Sequence, residues 1–201
     1  MIESTRAEGP GKRAAIWLQG CSLRCPGCCN PEMFDASGGK HWEIDQVCAW
    51  LSQARIDHGI EGLTLLGGEP TEQAASLVPV ARHSLSLGLN LMLFSGRTLE
   101  ELRCAADESV QSLLALTDIL VDGPFVREQP ETHRRWVGST NQRVHHLSGR
   151  TDPNDPAWAQ PNTLEIRLED SGTGHKLTVN GFPAPGLASM WKRIALPPSS
   201  S

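Results

Sequence analysis

Four of the six cysteines crowd into nine residues: Gly20-Cys21-Ser22-Leu23-Arg24-Cys25-Pro26-Gly27-Cys28-Cys29-Asn30. Cys48 and Cys104 stand alone. A disulfide framework spreads its cysteines through a small secreted domain. Met1 to Arg6 carries no apolar signal region, so a cytoplasmic, reducing location is expected. A structural zinc site usually takes two separated ligand pairs. No C-x-x-C or H-x-x-x-H follows downstream, and the adjacent His145 and His146 would point apart on a strand. What remains is three thiolates at x3 then x2 spacing on one loop. Such a loop can hold three corners of a [4Fe–4S] cluster and leave one iron without a protein ligand, which is a place for chemistry rather than simple electron storage. Zinc binding and chance crowding are the alternatives. Cys29, Cys48 and Cys104 have no spacing that would build a second cluster.

The chain that must position this loop has 201 residues, 39% hydrophobic and 20% charged. That is room for one sizeable domain with a small appendage, and short of the ~250 residues of a complete eight-unit β/α barrel. A net charge of −5 argues against a nucleic-acid binder, whose domain carries a basic excess. No run approaches 18 apolar residues, so no membrane span is expected.

Hydrophobic periodicity predicts short strands at 14–18, 63–66, 89–94 and 118–121, with a further one at 144–147. A helix is predicted over 43–56, with Cys48 on its apolar face as a small buried hydrophobe. Thr71 is the expected N-cap of a helix running to about Leu87, kinked or broken near Val78 by Pro79. Thr98-Leu99-Glu100-Glu101 has the pattern of a capping box, with Cys104 on the helix after it. Strands alternating with helices at this spacing imply parallel β/α units. Pro153, Pro156 and Pro161 mark 148–162 as a linker or surface loop. Alternation from Leu164 and again at Leu177 and Val179 predicts a β-hairpin within a 163–195 extension. A short helix is expected at 187–194 and a frayed tail at 196–201.

The Cys loop follows the first predicted strand, Gly67-Gly68-Glu69-Pro70 the second, Ser95-Gly96 the third and Asp122-Gly123 the fourth. In β/α barrels chemistry lies at the C-terminal ends of the strands, so these segments are expected to share one rim. Consecutive glycines there let backbone approach a ligand closely, although a plain strand-to-helix turn uses glycine too.

C-x-x-x-C-x-x-C after a short apolar strand resembles the signature of the radical S-adenosylmethionine (SAM) enzymes. Glu8-Gly9-Pro10-Gly11-Lys12-Arg13, the strand Ala14 to Gly20, and the Cys loop ending Asn30-Pro31-Glu32 resemble the activases of anaerobic ribonucleotide reductase. So do Gly67 to Pro70, Phe94 to Leu102, Leu120 to Phe125 and Trp136 to Arg143, with a weaker echo at Asn180 to Pro183. The resemblance covers about 8–147 and implies an incomplete β/α barrel of the radical SAM type carrying a C-terminal hairpin. It implies one [4Fe–4S] cluster on Cys21, Cys25 and Cys28. Adjacent cysteines usually project differently, and the family spacing selects Cys28 over Cys29. It implies SAM bound through its amino nitrogen and carboxylate at the open iron, with Gly67, Gly68, Glu69 and Pro70 receiving the amino group.

Ser95 and Asp122 are candidates for the SAM ribose or methionyl carboxylate, and each can equally cap the next helix or turn. Arg134, Arg135, Asn141 and Arg143 form a basic patch in an acidic chain, and Asn141 and Arg143 are candidates for docking a partner or for a solvated loop. The implied reaction is reductive cleavage of SAM to a 5′-deoxyadenosyl radical that installs a glycyl radical on a partner enzyme. The implied electron donor is flavodoxin or ferredoxin, and no side chain of this chain is required as acid or base. A stand-alone radical SAM enzyme acting on a small molecule or peptide would close its site with a lid, which 148–195 could supply. A metal-binding module without catalysis would not form 5′-deoxyadenosine.

Overall fold

The apolar runs become a six-stranded sheet in the computed structural model, which describes residues 1–170 and 175–182. The chain runs β1 (Ile2–Thr5), β2 (Arg13–Leu18), α1 (Ile44–His58), β3 (Gly62–Gly67), α2 (Ala74–Ser86), β4 (Asn90–Phe94), α3 (Leu99–Cys104), α4 (Glu108–Leu116), β5 (Ile119–Asp122) and β6 (Arg143–His146). A hairpin follows, β7 (Leu164–Asp170) and β8 (His175–Gly181). Strands β1 to β6 lie in chain order across the sheet. β2 to β5 are parallel, each reached from the last through helix, as the alternation of elements predicts.

Both edges depart from the parallel expectation. β1 was not foreseen, and it pairs antiparallel with β2. β6 occupies the place of the fifth predicted strand but pairs antiparallel with β5. The reason is the connection: no α-helix lies between Asp122 and Arg143, so the chain returns beside β5 instead of crossing over.

Alternate residues of each strand face opposite layers. Ala14, Ile16, Leu63, Leu65, Leu91, Leu93 and Leu120 pack with Val47 and Leu51 of α1, Leu77 and Val80 of α2, and Leu113 of α4. Met92, Ile119 and Val121 face the other way, against Trp136. The helices therefore cover one face. On the other face, Arg13 is fully buried and clamps the N-terminal ends of three strands. It donates to Thr64 Oγ1 (2.7 Å), Leu63 O (2.7 Å) and Asn90 Oδ1 (2.6 Å).

Cys48 packs on the core from α1, as its periodicity predicts. The Thr98–Glu101 capping box forms in full. The start of α2 is different. Glu69 caps a 3₁₀ turn over Pro70–Gln73 by accepting from Thr71 N–H (3.1 Å), and Gln73, not Thr71, is the N-cap of the helix that follows. α2 then runs unbroken through Pro79. Leu77, Val80, Ala81 and Ser84 are all buried, and that packing carries the helix across one missing hydrogen bond.

Residues 148–162 are not a free linker. A 3₁₀ turn at Pro156–Ala159 sets Trp158 edge-on to Trp136, centroids 5.0 Å apart. The predicted hairpin forms, with Leu164 opposite Gly181 and Ile166 opposite Val179. The predicted helix at 187–194 and the tail lie outside the described residues. No helix among the described residues is long and apolar enough to cross a membrane.

Candidate functional site

The Cys loop leaves the end of β2 and is fastened at both flanks. Gly20 N–H donates to Met33 O (2.9 Å) and Cys21 N–H to Phe34 O (3.2 Å). Gln19 Nε2 reaches Glu32 O (2.8 Å) and Asp35 O (2.7 Å), and Gln73 Nε2 reaches Gln19 O (2.7 Å). Glu72, in the turn after β3, accepts from Ser22 N–H (3.2 Å) and from Ser22 Oγ, and pairs with Arg97 (3.4 Å). Sequence reasoning did not single out Glu72. Its only signal is an acidic side chain at the start of a helix, which reads as ordinary capping.

Inside the loop, Cys28 N–H donates to Cys25 O (3.1 Å) and Asn30 N–H to Cys28 Sγ (3.4 Å). Cys28 is half-buried and Cys29 exposed. The adjacent Cys29 thiol and the Asn30 N–H lower the Cys28 thiol against the opposing effect of burial. The Cys28 thiol in turn raises Cys29. Burial raises the Cys21 thiol.

The strand ends meet the loop. Gly68 N–H donates to Leu18 O (2.7 Å) and Glu69 N–H to Gly20 O (2.9 Å), so the segment after β3 is zipped to the start of the Cys loop. Glu69 is buried. Its carboxylate takes Thr71 N–H (3.1 Å), Thr71 Oγ1 (2.6 Å), Ser95 Oγ (3.0 Å) and Gly96 N–H (2.9 Å). Glu69 therefore ties the end of β3 to the end of β4. Pro70 is buried at the first position of the 3₁₀ turn.

A cavity of about 130 Å³ opens on this rim. Cys21, Cys25, Cys28 and Cys29 line it together with Gly67, Gly68, Glu69, Ser95, Gly96 and Gly123. Leu23, Phe34, Phe94, Phe125 and Phe182 supply apolar wall. The expected convergence of the Cys loop with the ends of β3, β4 and β5 is thus present.

Of the candidate residues, Pro70, Asp122, Asn141 and Arg143 do not line the cavity. Asp122 is buried behind the cavity rather than on it. It accepts from Leu99 N–H (2.6 Å) and from Arg143 Nε (3.1 Å) and Nη2 (2.5 Å). Burial works to raise its carboxyl, but Arg143, the Leu99 N–H and His145 outweigh it and hold the group below the ordinary carboxylate range. Arg143 also forms a fork on Glu100 (3.1 and 2.6 Å), and Asn141 donates to Pro124 O (2.8 Å). These residues hold the 123–143 connection. Gln142, which sequence reasoning passed over, lines the cavity. It donates to Gly123 O (3.0 Å) and accepts from Gly138 N–H and Ser139 N–H (3.1 Å each).

The donor set suits a polynuclear iron–sulfur group. Soft thiols ring a cavity rather than a point. Cys48 and Cys104 are remote from the loop, on α1 and α3.

The class that matches is a single-cluster iron–sulfur protein: a family profile described as a 4Fe-4S single cluster domain covers residues 7–145. An anaerobic ribonucleoside-triphosphate reductase-activating protein of Vibrio cholerae is 36% identical over 147 residues, 70% of this chain and 91% of the relative. The protein of that name from Escherichia coli K12 is 33% identical over 147 residues (69% and 91%), and that of Enterobacteria phage T4 is 28% identical over 141 (68% and 85%). The chain belongs to this family, the 4Fe–4S single-cluster activating proteins of anaerobic ribonucleoside-triphosphate reductase.

Proposed function

We propose that this chain is a radical SAM activating enzyme that installs a glycyl radical on a partner, an anaerobic ribonucleoside-triphosphate reductase. The partner is supported by the relatives, which carry that activity in their names. The observation that carries the reading is the shared cavity of the Cys loop and the ends of β3, β4 and β5. The strands in chain order, with helices on one face, support reading the sheet as the wall of an incomplete β/α barrel.

Cys21, Cys25 and Cys28 would hold the cluster, leaving one iron to SAM. Backbone at Gly67 and Gly68, positioned by Glu69 and Pro70, would receive the amino group of SAM, and Ser95 borders the same space. Held there, a reduced cluster would supply the one electron needed for reductive cleavage of SAM to methionine and a 5′-deoxyadenosyl radical, the species that would take the Cα hydrogen of the partner's glycine. The chain's own residues bind, orient and exclude water; none is assigned a proton transfer. Leu23, Phe34, Phe94 and Phe125 enclose the reacting centre in apolar wall. Electrons would come from flavodoxin or ferredoxin in the cytoplasm.

Anaerobic reconstitution followed by iron and sulfide analysis tests the site: about four of each per chain are expected. SAM should then change the EPR signal of the reduced protein. One tightly held zinc and no sulfide would refute the reading.

A second reading, a stand-alone radical SAM enzyme for a small molecule or peptide, has one observation in its favour. The C-terminal segment packs against the 123–143 connection and the N-terminal strand, and it reaches the cavity through Phe182.

A further inference from the structure

The hairpin β7–β8 lies beyond the 7–145 stretch that the family profile covers, yet its last described residue, Phe182, lines the cavity beside the Cys loop. The ring is delivered there by a built connection. Asn162 Oδ1 accepts from Trp136 N–H (2.7 Å), and Arg135 Nη2 donates to Thr163 Oγ1 (2.8 Å), which fastens the entry to the hairpin. Arg6 N–H donates to Glu165 Oε1 (2.7 Å), which ties β7 to the N-terminal segment.

At the exit, Asn180 is buried and its Nδ2 donates to Thr5 Oγ1 (2.9 Å) and Glu8 Oε1 (3.3 Å). Gly181 turns the chain at φ +103°, and a Cβ there would collide with Thr163 O and stand 3.0 Å from the Cβ of Ala7. Only glycine makes this turn without strain.

We propose that Phe182 is a specificity-determining residue: a fixed wall that narrows the cavity so that a side-chain-free backbone, a glycine in an extended peptide, is admitted and a residue with a Cβ is turned away. This rests on the reading of the cavity as the cluster and SAM site. Phe125, Phe34 and Leu23 line the same space, so the ring completes an apolar enclosure. A hydrogen on a glycine Cα enters a slot that a methyl group cannot, and the same ring keeps water from the reacting centre. The fixed hairpin register and the buried Asn180–Glu8 contact make this a wall rather than a swinging lid.

The test uses the full chain, reconstituted anaerobically, as wild type, Phe182→Leu and Phe182→Ala. The first readout is fluorescence anisotropy of a labelled peptide copying the glycyl loop of the reductase, compared with the same peptide carrying alanine for that glycine. Wild type should prefer the glycine peptide by about tenfold, Phe182→Ala should discriminate by less than about twofold, and Phe182→Leu should fall between. The second readout is iron release to a ferrous chelator, which should be faster by about threefold or more in Phe182→Ala because the wall is open. Iron content equal to wild type marks each variant as folded; if the alanine variant fails this, the leucine variant decides. Unchanged discrimination with an unchanged release rate overturns the inference. If wild type binds neither peptide, the glycyl-radical reading fails instead, and the release rate alone decides whether Phe182 walls the cavity.

Discussion

Gly68 sits against Gly20 so closely that a Cβ on Gly68 would collide with the Gly20 carbonyl oxygen and lie 2.8 Å from its carbon and 3.1 Å from Leu18 O. The double glycine is therefore required, before any ligand is considered, to let the end of β3 pack on the root of the Cys loop. The sequence suggests a different reason, close approach of backbone to SAM. The two reasons separate experimentally. Gly68→Ala should displace the loop, cost about 1–3 kcal/mol of stability, and lower the iron bound on reconstitution together with SAM affinity. Full iron content with SAM binding alone lost would restore the ligand-approach explanation.

Cys28 and Cys29 both line the cavity, so spacing alone does not say which of them is a ligand. The account assigns Cys28. Cys21→Ala, Cys25→Ala and Cys28→Ala should each abolish formation of 5′-deoxyadenosine, whereas Cys29→Ala should keep the cluster absorbance and cleave SAM. Loss of the cluster in Cys29→Ala with retention in Cys28→Ala would reverse the assignment.

Arg143 is a structural partner of buried Asp122. Its side chain is 44% exposed, so the pair is partly screened by solvent. Arg143→Ala leaves a buried carboxylate with only the Leu99 N–H and His145, and should destabilise the protein. Urea unfolding measures this, with Arg143→Lys recovering only part because the forked contact with Glu100 and Asp122 needs a guanidinium. Wild-type stability in Arg143→Ala, with impaired transfer to the partner, would return this residue to a docking role.

Glu8 gives the fold a pH dependence. Burial raises its carboxyl from 4.5 to about 7, against the opposing hydrogen bonds from Asn180 and Gly181 and with a smaller push from nearby Glu165. Between those values the folded chain holds a proton that the unfolded chain has released. Stability is therefore greatest below pH 4.5 for this group and falls as pH rises toward 7, by about 3 kcal/mol at most. Thermal unfolding from pH 5 to pH 8 should show this decline in wild type and a flatter profile in Glu8→Gln. Parallel profiles would contradict it.

Much of the site is local chemistry and was legible as such. The x3 and x2 spacing marks the Cys loop, and alternating apolar runs place it after a strand, with Gly67-Gly68 and Ser95-Gly96 after the next two. What escaped is set by tertiary partners. Whether Asp122 faces a ligand or a helix end depends on where α3 begins, and Leu99 N–H claims the carboxylate. The direction of β6 depends on the absence of an α-helix in a twenty-residue connection rich in polar residues, which no periodicity announces. Phe182 follows a hairpin more than one hundred and fifty residues from Cys28 in the chain, and tertiary contacts such as Asn180 with Thr5 and Glu8 bring it to the cavity.

The central claim is that this cavity generates a radical for a glycine of another protein. The direct measurement is EPR of the reconstituted, reduced protein mixed with SAM and the anaerobic reductase of the same host under strict exclusion of oxygen. The account predicts a glycine-centred doublet on the reductase, absent when SAM is omitted and absent with Cys25→Ala. Abundant 5′-deoxyadenosine with no glycyl signal on the reductase would contradict it.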